Sequence, residues 1–323
     1  MTTNQLILAI AAGLISAVVF ASATTGPMLL RFVLFFLTPL SLYLAGLGIG
    51  PLAAGIAAIV ATLTILMLTN PLAALVFAVS AGAPAALTSR MALLGRPVGD
   101  DPSAAQVEWF PIGRIVLAAA LFGGIFAFLA VMIMGADVDA LSKAMRTLVD
   151  SFVKTEMPQI PGSAPLTDVQ VDEISQRALG LLPTTLAALS MITTLLNLWL
   201  AGRITLASGL LVRPWPELNS IALPATAAFA LLIAMAATFM GGLPGLIAGG
   251  FVGALTLAFA IVGLAVAHAL TRGSPWRNFV LSALYAALVI YTPAIAVLLA
   301  VVGLGETIFA YRASGGPPPA EKT

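Results

Sequence analysis

The sequence GGLPGLIAGGFVGALTLAFAIVGLAVAHAL, residues 241–270, contains no Asp, Glu, Lys or Arg and decides the fold of this chain. A helix that crosses a membrane needs roughly 20 mostly apolar residues, and this stretch exceeds that length. A transmembrane β-strand would alternate apolar and polar residues, and neither this stretch nor LVFAVSAGAPAAL, residues 75–87, alternates. Because only helices and closed barrels satisfy every backbone polar group in lipid, the pattern predicts membrane-spanning α-helices.

The same imbalance holds over the whole chain. Of its 323 residues, 8% are charged and 60% are hydrophobic, whereas soluble domains carry about 25% charged residues. The absence of cysteine excludes disulfides, thiolate catalysis and cysteine-ligated metals, and the single histidine, His268, excludes a metal site built from several histidines. We therefore expect the lipid bilayer as the main partner, and no nucleic acid, metal or cofactor.

Apolar segments of this kind recur from one end of the chain to the other. We predict an all-α, polytopic transmembrane bundle of about eight or nine spans, forming one domain over residues 1–312, with residues 313–323 as a disordered tail. The last apolar segment is too long for one span, so we expect a break at Pro293 or at Gly303 and Gly305. The expected spans cover residues 5–20, 28–47, 52–68, 72–94, 112–134, 181–200, 221–240, 243–270 and 279–311.

One polar, partly helical excursion, residues 135–178, separates the fifth and sixth predicted spans. Its first part, VDALSKAMRTLVDSFVKTEM, places apolar residues at helical spacing with most charges between them, which indicates an amphipathic helix. The sequence PQIPGSAP, residues 158–165, is expected to end this helix. A second, short helix is predicted over residues 167–179, so the excursion could lie on the membrane surface or cap a cavity.

The arginines orient the predicted bundle, because cytoplasmic loops are enriched in Lys and Arg. Alternating spans put three arginine groups on one side of the membrane. If this side is cytoplasmic, the N-terminus lies on the cytoplasmic side of a bacterial inner membrane. The first segment is expected to be retained as a span, because residues 1–30 lack the positive charge that begins a secretory signal. The three groups are Arg90, Arg96 and Arg114, then Arg203 and Arg213, then Arg272 and Arg277.

Two rows of small residues indicate close helix contacts. Small residues at every fourth position line one edge of a helix and let another backbone approach. The row in the first span is either a docking face for a partner protein or an internal packing surface. The row that opens the eighth span predicts close helix packing, or room for the helix to bend. The rows are Ala9, Gly13, Ala17 and Ala21, and Gly241, Gly245, Gly249 and Gly253.

Polar side chains inside hydrocarbon are costly and often functional, so they form the list of candidate ligand-binding residues. Asn197 must find a partner, either on another helix or on a ligand. His268 could be a structural hydrogen-bond donor or a proton relay, and Trp199 and Tyr285 could also be anchors at the membrane interface. The candidate residues are Asn197, Trp199, Thr193, His268 and Tyr285.

The sequence lacks the local motifs of several enzyme classes. It has no Walker-type glycine loop before a lysine, no HExxH and no GxSxG. No pair of intramembrane aspartates suggests an aspartyl protease. We therefore expect no catalytic residues and no enzyme activity.

Two stretches carry a family resemblance: FFLTPLSLYLAGLGIGPLAAGIAAI, residues 35–59, and the stretch 241–270 with its GLAVAHAL ending. The chain resembles the YybS-like family of bacterial membrane proteins of unknown function, which is similar to the substrate-binding S subunits of energy-coupling-factor transporters. The resemblance implies a small molecule held between helices, and a transmembrane coupling subunit served by separate ATPases. It also implies docking to that subunit through the stripe Ala9, Gly13, Ala17 and Ala21.

Two functions follow as expectations. The first is an integral membrane protein that resembles a transporter substrate-binding subunit and binds a small molecule between its helices. The alternative is a scaffold of the cell envelope that holds other membrane proteins and does not transport. A polar central cavity near Asn197 would favour the first, and a tightly packed bundle with a bare face on the first helix would favour the second.

Overall fold

The computed structural model describes residues 1–23, 27–98, 106–135, 137–155, 166–217, 219, 221–310 and 312. Within these residues it is an all-α bundle with eight helical segments long and apolar enough to cross a membrane, as the sequence predicts. The predicted tail, residues 313–323, and the predicted break at residues 158–165 lie outside the described residues.

The first half of the chain forms helices that are joined by short turns or follow one another directly within a span. Asn70 caps one of them, since its side chain accepts a hydrogen bond from the backbone of Ala73, with Pro71 in the first turn. The elements are α1 (Thr3–Ser22), α2 (Met28–Leu37), α3 (Leu40–Gly48), α4 (Pro51–Leu68), α5 (Pro71–Phe77), a π-helical turn (Ala78–Gly82) and α6 (Ala83–Leu93).

The second half begins with a two-stranded antiparallel hairpin in the predicted polar loop and continues with the longest helices of the chain. The hairpin was not predicted from the sequence. The elements are β1 (Gly95–Val98), β2 (Gln106–Trp109), α7 (Ile112–Met134), α8 (Val138–Thr155), α9 (Asp168–Ala207), α10 (Ala225–Thr238), α11 (Gly242–Leu270), α12 (Arg277–Ile290) and α13 (Thr292–Phe309).

Prolines divide two of the predicted spans. The second span is interrupted at Pro39, which separates α2 from α3 because proline has no backbone N–H and its ring crowds the preceding turn. The last apolar segment divides at Tyr291, with Pro293 in the first turn of α13, which confirms the predicted break. Gly303 does not end a helix but lies inside α13.

The helix that carries the sixth span is longer than predicted. The prediction of a separate short helix over residues 167–179 is wrong, because α9 runs without a break for 40 residues. Thr167 and Gln170 form a capping box that starts α9, and the helix continues through Pro183. The helix stays continuous because its first turns pack on α8, where Val171 and Leu179 are buried with Leu141 and Met145.

The seventh predicted span is shorter than expected. Residues 221–240 were predicted as one span, but α10 has only 14 residues and begins after Pro224, whose backbone is extended. Residues 221–223 are therefore not helical, although Ile221 and Leu223 are buried. Nonhelical backbone of this kind needs hydrogen-bond donors from elsewhere in the protein.

Close backbone contacts hold the helices of the second half together. An added Cβ on Gly263 of α11 would collide with the carbonyl of Leu299 in α13, and one on Gly303 would collide with the carbonyl of Phe259. These two contacts make α11 and α13 an antiparallel pair without side chains between them. In a membrane, where lipid tails are as apolar as leucine, such packing is a main source of helix association.

We predict that Gly303→Ala destabilises the protein, because the added methyl group meets backbone atoms that cannot move aside. Overpacking of this kind costs about 1–3 kcal/mol. The matched control is Gly180→Ala in α9, where nothing lies within 4 Å of the added Cβ. Thermal unfolding in detergent should show a lower midpoint for Gly303→Ala and an unchanged or higher one for the control. Equal midpoints would contradict the contact.

Candidate ligand-binding site

A cavity of about 280 Å³ lies where α3, α6, α7, α9 and α11 meet the segment between α9 and α10, residues 208–224. We call it the Trp199 cavity. Its wall is almost wholly apolar, and it includes Ile115 and Val116 of α7 and Ile261 of α11. The wall also includes two tryptophans, Trp199 and Trp215, and one charged residue, Arg213.

The size and lining of the cavity fit a small ligand. Ligand pockets usually measure roughly 300–1,000 Å³ and combine apolar walls with a few polar groups, so this cavity stands at the small end. Trp199 stays 45% exposed, so the wall that it forms reaches the surface of the chain. The cavity is therefore a preformed, mostly apolar site with an opening.

Arg213 fixes the segment that closes one side of the cavity. Its Nη1 donates to the carbonyl of Ala92 at the end of α6, and its Nη2 donates to the carbonyl of Phe110 before α7, both at 3.0 Å. Its guanidinium also lies 5.9 Å from the centre of the Trp109 ring. These contacts tie the segment 208–224 to the hairpin side of the α6–α7 connection.

The charge of Arg213 is partly desolvated. Burial of the guanidinium lowers the pKa of Arg213 from its ordinary value, although an arginine stays protonated in proteins. Its described hydrogen bonds go to backbone carbonyls, and no carboxylate of the described chain forms an ion pair with it. A cation in this setting attracts a negatively charged group.

A second pair of contacts supports the same segment from α13. Arg312 forms an ion pair with Glu306 at 2.9 Å, and both side chains are buried, with 15% and 6% exposure. The Arg312 guanidinium also donates to the carbonyls of Asn219 and Ile221. Since Ile221 lines the cavity, this pair holds part of the cavity wall in place.

The predicted ligand-binding residues do not form one site. Trp199 lies on the cavity wall, but Asn197 and Thr193 point into the interior on another face of α9. Asn197 is fully buried, and its Nδ2 donates to the carbonyls of Phe36 at 2.6 Å and Thr193 at 2.7 Å. Phe36 lies beside the Pro39 break, so Asn197 satisfies backbone at a helix interruption. Its Oδ1 is buried without a partner among the described residues.

The remaining two predicted residues form a separate pair between α11 and α12. His268 Nε2 and the Tyr285 hydroxyl lie 2.9 Å apart. Arg277 donates to the carbonyl of His268 at 2.8 Å, which ties the start of α12 to the end of α11. Neither His268 nor Tyr285 lines the Trp199 cavity.

The stripe on the first helix is used inside the chain. Ala9, Gly13 and Ala17 are buried, and an added Cβ on Gly13 would lie 2.5 Å from the carbonyl oxygen of Ala57 in α4. Ala21 is half-buried. Of the two predicted uses, the structure therefore shows the internal one, and α4 covers the face that a partner would need.

The glycines that open α11 have two different surroundings. Gly241 has a φ of 65° and nothing within 4 Å of an added Cβ, so it serves the turn before the helix. An added Cβ on Gly245 would lie 2.9 Å from the carbonyl oxygen of Thr238. Gly249 and Gly253 face Thr184 of α9, whose hydroxyl donates to the Gly249 carbonyl at 2.9 Å.

Sequence reasoning missed the residues that build the cavity. Arg213 was used only to orient the bundle, and neither Trp215 nor Arg312, just before the predicted tail, was among the candidate residues. The signal was the sequence Arg213-Pro-Trp-Pro216, in which prolines on both sides of a tryptophan exclude a helix but leave an apolar side chain to bury. No group of three or more potential metal ligands occurs in the described part of the chain.

We predict that Glu306→Ala strongly destabilises the protein, because Arg312 would be left as a buried charge without its carboxylate. Breaking a buried pair from one side costs about 3–5 kcal/mol. The matched control is Glu108→Ala, which removes the exposed Arg96–Glu108 pair of the hairpin and should cost about 0–1 kcal/mol. Thermal unfolding in detergent measures both, and similar losses in the two variants would refute a structural role for the buried pair.

Comparison with known proteins gives a family but no closer relative. The family model described as "Predicted membrane protein (DUF2232)" matches residues 14–306, which run from α1 into α13. No curated protein and no solved structure matches the chain. Because the family model covers nearly the whole bundle, including every helix that borders the cavity, the chain belongs to the DUF2232 family of predicted membrane proteins.

Proposed function

We propose that this protein binds a small, mainly apolar molecule in the Trp199 cavity, as a substrate-binding component of a membrane transport system. The observation that carries the proposal is the cavity itself, an apolar space with two tryptophans and one arginine in its wall. A space of this size inside a bundle leaves wall atoms without contacts, which costs stability unless a ligand fills it.

Two arginines and a buried ion pair support the view that the cavity is built and not accidental. Arg213 and Arg312 both donate to backbone carbonyls around the cavity. Rigid support of the wall reduces the entropy that a ligand would lose on ordering it. Burying Glu306 and Arg312 is costly, and the hydrogen bonds of Arg312 to the carbonyls of Asn219 and Ile221 give this cost a structural purpose.

The transport role rests on the resemblance to the S subunits of energy-coupling-factor transporters. Such a subunit holds its substrate between helices and leaves ATP hydrolysis to other polypeptides, which agrees with a chain that carries no Walker-type motif. A coupling subunit would have to dock on a face other than the stripe of α1, which α4 covers. A scaffold protein could not use this stripe as a contact surface for a partner either.

We predict that Ile261→Trp abolishes ligand binding, because the larger side chain fills the cavity from α11. Native mass spectrometry of protein purified from native membranes should show a bound small molecule on the wild type and none on the variant. The matched control is Ile233→Trp in α10, which is 70% exposed on the outside of the bundle and should keep the molecule. A wild type that is empty in repeated preparations would contradict the proposal.

We also propose the orientation that the arginines indicate, with the N-terminus and the β1–β2 hairpin in the cytoplasm and α8 outside. The Arg213 bonds to Ala92 and Phe110 place the end of α9 beside the α6–α7 connection. These two arginine-bearing loops therefore share one side, as the positive-inside rule requires.

The chain has no cysteine, so single cysteines report sidedness directly. We predict that Asp139→Cys in α8 reacts with a membrane-impermeant maleimide in intact cells or in sealed, right-side-out vesicles. Gln106→Cys in the hairpin should react only after the membrane is opened, because it would face the cytoplasm. The reverse labelling pattern would contradict the proposed orientation and favour the opposite one.

A further inference from the structure

We infer that the ligand of the Trp199 cavity is an anionic amphiphile, with its apolar body in the cavity and a phosphate or carboxylate head on Arg213 and Arg203. The inference rests on the proposed function and adds the chemical class of the ligand. It follows from how polarity and charge are distributed around the cavity.

Polarity in the cavity wall is confined to one place. The wall consists of aliphatic, aromatic and small residues apart from Arg213, which lies in the nonhelical segment beside Trp215. Arg203 stands next to the same place, because its guanidinium lies 5.2 Å from the centre of the Trp215 ring. Arg213 therefore supplies the charged group of the wall, and the exposed Arg203 lies beside Trp215, which is part of the same wall.

Among the residues that the structure describes, neither arginine has an anionic partner. The ion pairs of the described chain involve other residues, and the described contacts of Arg203 and Arg213 are aromatic rings and backbone carbonyls. Aromatic stacking and carbonyl bonds hold the two groups in position without neutralising them. An anion bound there would gain charge-assisted hydrogen bonds from groups that are already oriented, and guanidinium matches carboxylate and phosphate geometry.

The size of the cavity limits the apolar body. At about 280 Å³ it accepts a single chain or a small ring system and excludes a lipid with two long acyl chains. The tryptophans suit the boundary between such a body and its head, since an indole presents both an apolar face and a polar N–H. Free inorganic phosphate would leave the apolar space empty, so an anionic group without an apolar body is disfavoured.

The test compares three probes: decyl phosphate, decanol and inorganic phosphate. Each probe is titrated into the detergent-purified full chain. Native mass spectrometry then measures the fraction of protein that carries a bound probe. Decyl phosphate should bind about tenfold more tightly than decanol, because one charge-assisted interaction is worth roughly that factor. Inorganic phosphate should not bind measurably.

Variants test whether the arginines cause the difference in affinity between decyl phosphate and decanol. Arg203→Gln removes a charge without breaking a described hydrogen bond, and it should erase most of the advantage of decyl phosphate while leaving decanol binding unchanged. Arg203→Lys keeps the charge and should retain part of the advantage. The control is Arg272→Gln, which removes an exposed arginine that does not line the cavity and should change neither affinity.

The outcomes separate this inference from the proposed function. If decanol and decyl phosphate bind equally well and both are lost in Ile261→Trp, the cavity binds ligands but the anionic head is refuted. If neither decanol nor decyl phosphate binds to the wild type, both the inference and the proposed function are contradicted. If only inorganic phosphate binds tightly, and Arg203→Gln abolishes this binding, the ligand is a free anion and the inference of an amphiphile is wrong.

Discussion

Hydrogen bonds from two arginines to backbone carbonyls hold the segment between α9 and α10 in place. Arg213 donates to the carbonyls of Ala92 and Phe110, and Arg312 donates to those of Asn219 and Ile221. Nonhelical backbone inside a membrane protein is tolerated only where protein or a cavity provides for it. Arg312 satisfies two carbonyls of the segment, and Arg213 fastens the segment to the α6–α7 connection. The segment in turn forms one side of the cavity.

The rest of the bundle provides a rigid frame around this segment. Glycine contacts join α11 to α13 and α1 to α4, so the helices approach each other through their backbones. The cavity lies between these two groups of helices, near α3, α6, α7 and α9, where larger side chains and the nonhelical segment leave space. Close backbone contacts within these pairs and larger side chains at the junction together explain why the Trp199 cavity stays open.

The sequence predicts the membrane class and most spans because long apolar blocks have only one stable form in lipid. Pro293 also predicts the break between α12 and α13, since the effect of proline is local. The continuity of α9 was not predictable from the polar composition of residues 167–179, because packing on α8 decides it. The site depends on contacts between distant residues, such as Arg213 with Ala92, which no local pattern reveals. Asn197 was singled out correctly as a buried polar residue, but its partner is the carbonyl of Phe36, across 161 positions.

The presence of a ligand in the Trp199 cavity can be tested by direct observation. The most direct measurement is an electron cryo-microscopy map of the protein kept in a nanodisc of its native lipids. A bound ligand should appear as a continuous density between Trp199, Trp215 and Ile261 that no side chain explains, with its polar end at Arg213. A map in which these side chains close the space, with no density left over, would contradict it.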